Sequence, residues 1–191
     1  MDPSSAVRTD TLPAVATVVA PGAFVSSTYL WAVLSGTSSP RAFFDQHESI
    51  ALVGAALLWI VAGFAVDSLG SYVEVYWIDR RRSDHAAMLE IWWRYLRIAW
   101  DKEPIGQHYL RRMLVSFKFE LNMFVATVGS IPGVIVLGLQ GRIRSLAVAL
   151  VIAGLAIAAV VLFSAAKASA GVLADVRRQL LLGVGEPPFD H

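Results

Sequence analysis

The residues best suited to chemistry in this 191-residue chain are a few ionisable side chains at the edges of long apolar runs. Asp67, Glu74, Lys118, Glu120 and Lys167 all fall near one end of such runs, with Asn122 and His108 close by. Gly63, Asp67, Gly70, Ser71 and Glu74 recur at helical spacing and form one stripe. Small residues in a stripe let a second helix approach closely, which would turn both carboxylates toward that helix and away from lipid. Intramembrane carboxylates bind cations or relay protons. Glu74, Glu120 and His108 also have the donor types of a hard or borderline metal site.

The same residues support a plainer reading. Charges near the ends of spans snorkel to water, pair with one another and fix the register between helices. Contact of Asp67 or Glu74 with Lys118 or Lys167 would serve that purpose. We favour this reading, because a depth estimate puts the residues near the edge of the hydrocarbon and not at its centre. No H-E-x-x-H or E-x-x-H spacing accompanies them. No catalytic residue, metal ligand or cofactor is therefore assigned.

Other candidates offer less. His47, His85 and His191 lie in charged or terminal stretches and are read as solvated. Ser26, Ser27 and Ser130 are expected to bond main-chain carbonyls. No phosphate-binding loop, dinucleotide fingerprint or nucleophile elbow is present. The chain has no cysteine, which excludes disulfides, thiol catalysis and thiolate metal sites.

The elements that must position these residues follow from composition. Hydrophobic residues make up 56% of the chain and charged residues 16%, against roughly 25% charged in soluble domains. A bilayer core about 30 Å thick needs about 20 apolar helical residues. Four segments meet that requirement, at about 13–35, 49–70, 119–140 and 145–166. The first is expected to break at Pro21-Gly22. The second should continue as helix through Ile78 and the fourth to Leu182. The first run is too long, and its flank too poor in basic residues, for a cleaved signal peptide. The fold class is thus all-α: a single membrane domain, 1–191, built as a four-transmembrane-helix bundle.

Orientation comes from the basic residues. Arg80, Arg81, Arg82, Arg94, Arg97, Lys102, Arg111 and Arg112 gather between the second and third spans, whereas the other two connections carry only Arg41, Arg142 and Arg144. The positive-inside rule then places the central segment (about 79–118), the tail (167–191) and both termini in the cytoplasm, as for a multi-pass inner-membrane protein. An abundance of alanine and of arginine over lysine hints at a bacterial source.

The central segment is read as helical, with Met88, Leu89, Trp92, Leu96, Ala99 and Trp100 at three- and four-residue steps. A second helix should start near Ile105 and feed the third span. Trp92, Trp93, Arg94, Arg97 and Trp100 suit contact with lipid headgroups or a partner protein. Nucleic acid fits poorly, since Glu90, Asp101 and Glu103 balance the arginines.

Two further patterns bear on assembly. Pro21-Gly22 has a counterpart in Pro132-Gly133, as would follow from two related hairpins. Gly154 and Ala158, with Ala165 and Ala166, make a small-residue face suited to close packing within the chain or between copies. Taken together, the sequence favours a homo-oligomeric membrane protein that senses, anchors or forms a pore. The alternatives are an ion or solute conductor using Asp67, Glu74 and Glu120, and an enzyme acting on a lipid-like substrate at the cytoplasmic face.

Overall fold

The computed structural model describes residues 3–36, 38–79, 90, 93 and 105–183. Trp92, Arg94, Arg97 and Trp100, and the tail beyond residue 183, lie outside the described residues. Among the described residues five α-helices can be traced: α1 (Pro3–Gly36), α2 (Ser38–Gln46), α3 (Glu48–Val73), α4 (Ile105–Leu139) and α5 (Ser145–Gly183). A π-helical turn, Glu74–Asp79, extends α3. No strand occurs among the described residues.

Four of the helices are long and apolar enough to cross a membrane, over Val15–Gly36, Glu48–Ile78, Tyr109–Leu139 and Ser145–Val176. Helix extends beyond the third and fourth spans of 119–140 and 145–166, as the sequence pattern predicts. α4 starts at Ile105 and enters the membrane segment without a break, and α5 runs on to Gly183. The short connection after α1 is itself largely helical, since Ser38–Gln46 forms α2.

The expected break at Pro21-Gly22 does not occur: α1 is continuous from Pro3 to Gly36. Proline has no N–H to donate to the carbonyl four residues back, which here belongs to Thr17. That carbonyl instead accepts from Asn122 Nδ2 of α4 at 3.1 Å. A neighbouring helix thus supplies the donor that Pro21 lacks, and the helix persists.

Close crossings set the packing. A Cβ on Gly22 would strike the main-chain carbonyl oxygen of Trp59 and come within 2.5 Å of the Gly63 nitrogen. A Cβ on Gly63 would strike the Val18 carbonyl oxygen. The main chains of α1 and α3 therefore touch, as only glycine allows at both positions. On α4, Gly133 faces Thr28 of α1 and Gly138 faces Val148 of α5. The two Pro-Gly pairs meet different surroundings: Gly22 packs on its sequence neighbour α3, whereas Gly133 packs on α1.

α4 is the central element, with 44% of its membrane window buried, against 22% for α1 and α3 and 6% for α5. It packs against α1 and α5, and less extensively against α3. The buried side of α5 carries Ala159, Ala166, Leu173 and Ala174, and the first three repeat every seven residues, as in shallow left-handed helix packing. A cluster of Ile78, Phe117, Leu121 and Ala166, flanked by Val73, Phe163 and Ala170, ties α3, α4 and α5 together near residues 74–79. Trp77 meets Phe163 edge-on at 6.3 Å and Phe124 lies 5.2 Å from the same ring. The α4–α5 turn closes with Gly141 at φ 67°. Arg142 N–H donates to the Leu137 carbonyl and Gly141 N–H to that of Gly138, a Schellman cap that needs the left-handed residue.

Candidate functional site

The start of α1, the end of α3, the start of α4 and the end of α5 meet at one end of the bundle, from which segment 80–104 departs. Thr17 stands 19 residues from Gly36, Asp67 19 residues from Glu48, and Asn122 17 residues from Leu139. At 1.5 Å per residue each lies about 26–29 Å from the far end of its helix. The three therefore share one level.

At that level Asn122 Nδ2 donates to Asp67 Oδ1 at 2.9 Å and to the Thr17 carbonyl at 3.1 Å. Asn122 is 0% exposed, and Asp67 is half-buried. The two bonds use both amide hydrogens of the carboxamide and join α1, α3 and α4 at one side chain. The carboxamide oxygen is left without a hydrogen-bond partner among the described residues. It rests against Gly70, in the space that a Cβ would fill.

About one turn closer to the segment is a second polar layer. Lys118 Nζ of α4 donates to Glu74 Oε2 at 2.6 Å and to Ser71 Oγ at 3.1 Å. Both members of the ion pair are partly exposed, Lys118 at 29% and Glu74 at 25%. Partial hydration lowers the desolvation cost that a fully buried pair would carry. The stripe Gly63, Asp67, Gly70, Ser71, Glu74 thus faces neighbouring helices along its length: Gly63 meets α1, and the rest meet Asn122 and Lys118.

Glu120 points elsewhere. Its Oε2 accepts from Ser169 Oγ of α5 at 2.8 Å, and its Oε1 from Ser116 Oγ at 3.5 Å. Glu74 and Glu120 are consequently engaged on different helices, α4 for the first and α5 for the second. Lys167 is exposed on α5 and forms no ion pair among the described residues. His108 lies in the first turn of α4, and its side chain is outside the described residues. Trp93 is helical and 58% exposed.

Ser26, Ser27 and Ser130 donate to the carbonyls of Gly22, Ala23 and Ala126. Their hydroxyls are committed to their own helices. Among the described residues no three of His, Cys, Asp and Glu gather as a metal site. Chemically, the arrangement can hold helices in register and offer oxygen ligands at the Asp67 level.

Two participants were not anticipated from sequence. Thr17 enters through its main chain, and the signal for it was present: it sits four residues before a proline inside a membrane helix. Ser169 carried no comparable signal. Compared with protein-family models, with curated proteins and with solved structures, the chain finds no match.

Proposed function

We propose that this chain is a non-enzymatic, homo-oligomeric protein of the bacterial inner membrane. It anchors or senses through segment 80–104, held at the cytoplasmic surface against lipid headgroups or a cytoplasmic protein partner. The observation that carries this reading is the Lys118–Glu74 ion pair with its Ser71 branch. It joins the two helices from which segment 80–104 springs, about one turn and a half from its start along α3 and about four turns from its end along α4. By tying α3 to α4 it restrains how the two helices that carry the segment sit against each other. The concentration of arginine around the same end supports a cytoplasmic location. The exposed Trp93 fits a headgroup contact, where an aromatic body buries and its polar edge stays wet.

Two features argue for the non-enzymatic character. Glu74 is engaged by Lys118, and Glu120 is engaged by serines. Neither is presented to an incoming substrate as a free acid or base. Oligomerisation is supported by α5, of which one side alone is covered within the chain, leaving Gly154 with nothing nearby.

The test uses the whole protein in nanodiscs. Native mass spectrometry is expected to give an oligomer of fixed number. Quenching of tryptophan fluorescence by brominated lipids, or capture of a cytoplasmic partner, is expected to fall in the Trp92→Ala/Trp100→Ala variant. A monomer, or a double variant that matches wild type in both quenching and capture, would refute the proposal.

A further inference from the structure

α3 and α5 both pack on α4 but scarcely on each other. They meet where Trp77, in the π-helical extension of α3, lies edge-on to Phe163, with Phe124 of α4 beside the same ring. At that junction Phe117 of α4 is covered by Ile78 and Ala166. Phe117, Phe124, Val128 and Ile135 stand seven, four and seven residues apart and so share one face of α4. The face is closed at Phe117, 2% exposed, and open at Val128 and Ile135, 44% and 42% exposed. The central helix of the bundle thus has a bare strip, with α3 and α5 diverging to either side of it. The result is a crevice, closed at the end nearest segment 80–104 and open to the bilayer along its length.

A cation stands at the closed end. Lys167 follows Phe163 by four residues, so the two share a face of α5. Lys167 is exposed and forms no hydrogen bond or ion pair among the described residues. Glu120 is turned away from it: its partner Ser169 is two residues from Lys167 and so on the opposite side of α5. Asp175 lies eight residues further on, about 12 Å along the axis. Lys167 is 22 residues from Ser145 at the far end of its helix, on the order of 33 Å, just past a hydrocarbon core about 30 Å thick. Its ammonium group therefore reaches headgroup level, where basic pockets between membrane helices take up lipid headgroups.

We propose that the crevice between α3 and α5 binds one anionic phospholipid from the leaflet on the side of segment 80–104. Lys167 holds its phosphate, and one acyl chain crosses the Trp77–Phe163 pair to lie on Val128 and Ile135. Charge selects the class. An anionic headgroup brings one negative charge and no cation of its own, and Lys167 supplies one positive charge in a charge-assisted hydrogen bond. A zwitterionic lipid carries an ammonium group that competes for the same phosphate. Length agrees as well. Phe124 and Ile135 are 11 residues apart, about 16 Å of helix, and one leaflet's share of the hydrocarbon is about 15 Å. A second copy of the chain is a poorer occupant, because its Asp67, Glu74 and Glu120 are engaged within their own bundle and leave no carboxylate for Lys167 at this level. This inference goes beyond the anchoring proposal and is independent of what segment 80–104 touches.

The experiment titrates the full chain, freed of lipid in detergent, with phosphatidylglycerol and separately with phosphatidylcholine, and counts bound lipid by native mass spectrometry. One phosphatidylglycerol per chain is expected, held about tenfold more tightly than phosphatidylcholine. Lys167→Gln should erase the preference, while Arg144→Gln, at the other end of α5, should keep it. Val128→Trp fills the crevice from an exposed position without touching charge, and should weaken binding of both lipids. No preference, a preference that survives Lys167→Gln, or undiminished binding to Val128→Trp would overturn the proposal. A second copy seated in the crevice would overturn it as well. Because the chain has no cysteine, a disulfide-linked dimer of Val128→Cys formed in nanodiscs would reveal that occupant.

Discussion

Asn122 in α4 donates a hydrogen bond to the main-chain carbonyl of Thr17 in α1, 105 residues away in sequence, at 3.1 Å. The bond exists because Pro21, one turn beyond Thr17, cannot supply it from within the helix. With its other hydrogen Asn122 holds Asp67 of α3. One fully buried side chain thereby ties three membrane helices at one level. Such a pin limits sliding of the helices along one another, which close glycine crossings alone do not prevent.

Replacing Asn122 with leucine should lower stability by about 1–3 kcal/mol, since two acceptors lose their donor in a buried setting. The loss should shrink when Pro21 is also replaced by alanine. The main-chain N–H gained in Pro21→Ala can donate to Thr17 within α1, so Asn122 no longer has that acceptor to itself. Thermal unfolding of wild type, both single variants and the double variant in nanodiscs closes the cycle. A coupling of about 0.5–1.5 kcal/mol is expected, within the range for residues that share one network; strict additivity would disprove the link.

Alanine substitutions at glycines should separate by what the new methyl meets. Gly22→Ala and Gly63→Ala push against main-chain atoms of the facing helix, which cannot rotate aside. Gly70→Ala pushes against the Asn122 side chain, which can. The first two should therefore cost more than the third, while Gly54→Ala, with nothing within 4 Å, should be neutral or gain about 0.5–1 kcal/mol from the better helix former. Unfolding temperatures of the four variants test the order. A Gly54→Ala loss as large as that of Gly22→Ala would contradict the crossing described.

Much of the fold was legible, because hydrocarbon leaves an unmistakable mark on sequence: runs of about 20 apolar residues located all four membrane helices. The small-residue stripe on α3 also pointed correctly toward a facing helix. What escaped was the partnership between distant residues. Helical period put Asp67 and Glu74 on one face, yet only packing decides that Asp67 meets Asn122 while Glu74 meets Lys118. The continuity of α1 through Pro21 was missed for the same reason, as its cause lies on α4. Glu120 was grouped with the other carboxylates by depth alone, and depth does not reveal that its side chain turns to Ser169.

Tyr29 of α1 donates through its hydroxyl to the Gly129 carbonyl of α4 at 2.7 Å. That carbonyl lies three residues before Pro132, in the turn where the proline weakens the ladder. Tyr29→Phe keeps the ring and removes the donor. A loss of about 0.5–1.5 kcal/mol is expected, read as a lower unfolding temperature. If Tyr29→Phe unfolds with wild type, the carbonyl finds an equivalent donor and the bond does not support the turn.

The Lys118–Glu74 pair permits a test of the clamp separate from a test of charge. Glu74→Lys alone sets two cations against each other between the helices that flank segment 80–104, and Lys118→Glu sets two anions there. Exchanging both, Glu74→Lys with Lys118→Glu, restores an attraction of opposite sense. Because the pair is partly exposed, it is worth at most about 1 kcal/mol, so global stability should change little in any of the three. Hydrogen exchange across residues 80–104 is the sensitive readout, since local opening responds to contacts at the ends of a segment. Faster exchange is expected in both single variants, with return toward wild type in the exchange variant. If the single variants protect the segment as well as wild type does, the pair does not restrain the helices that carry it, and the anchoring proposal loses its main support.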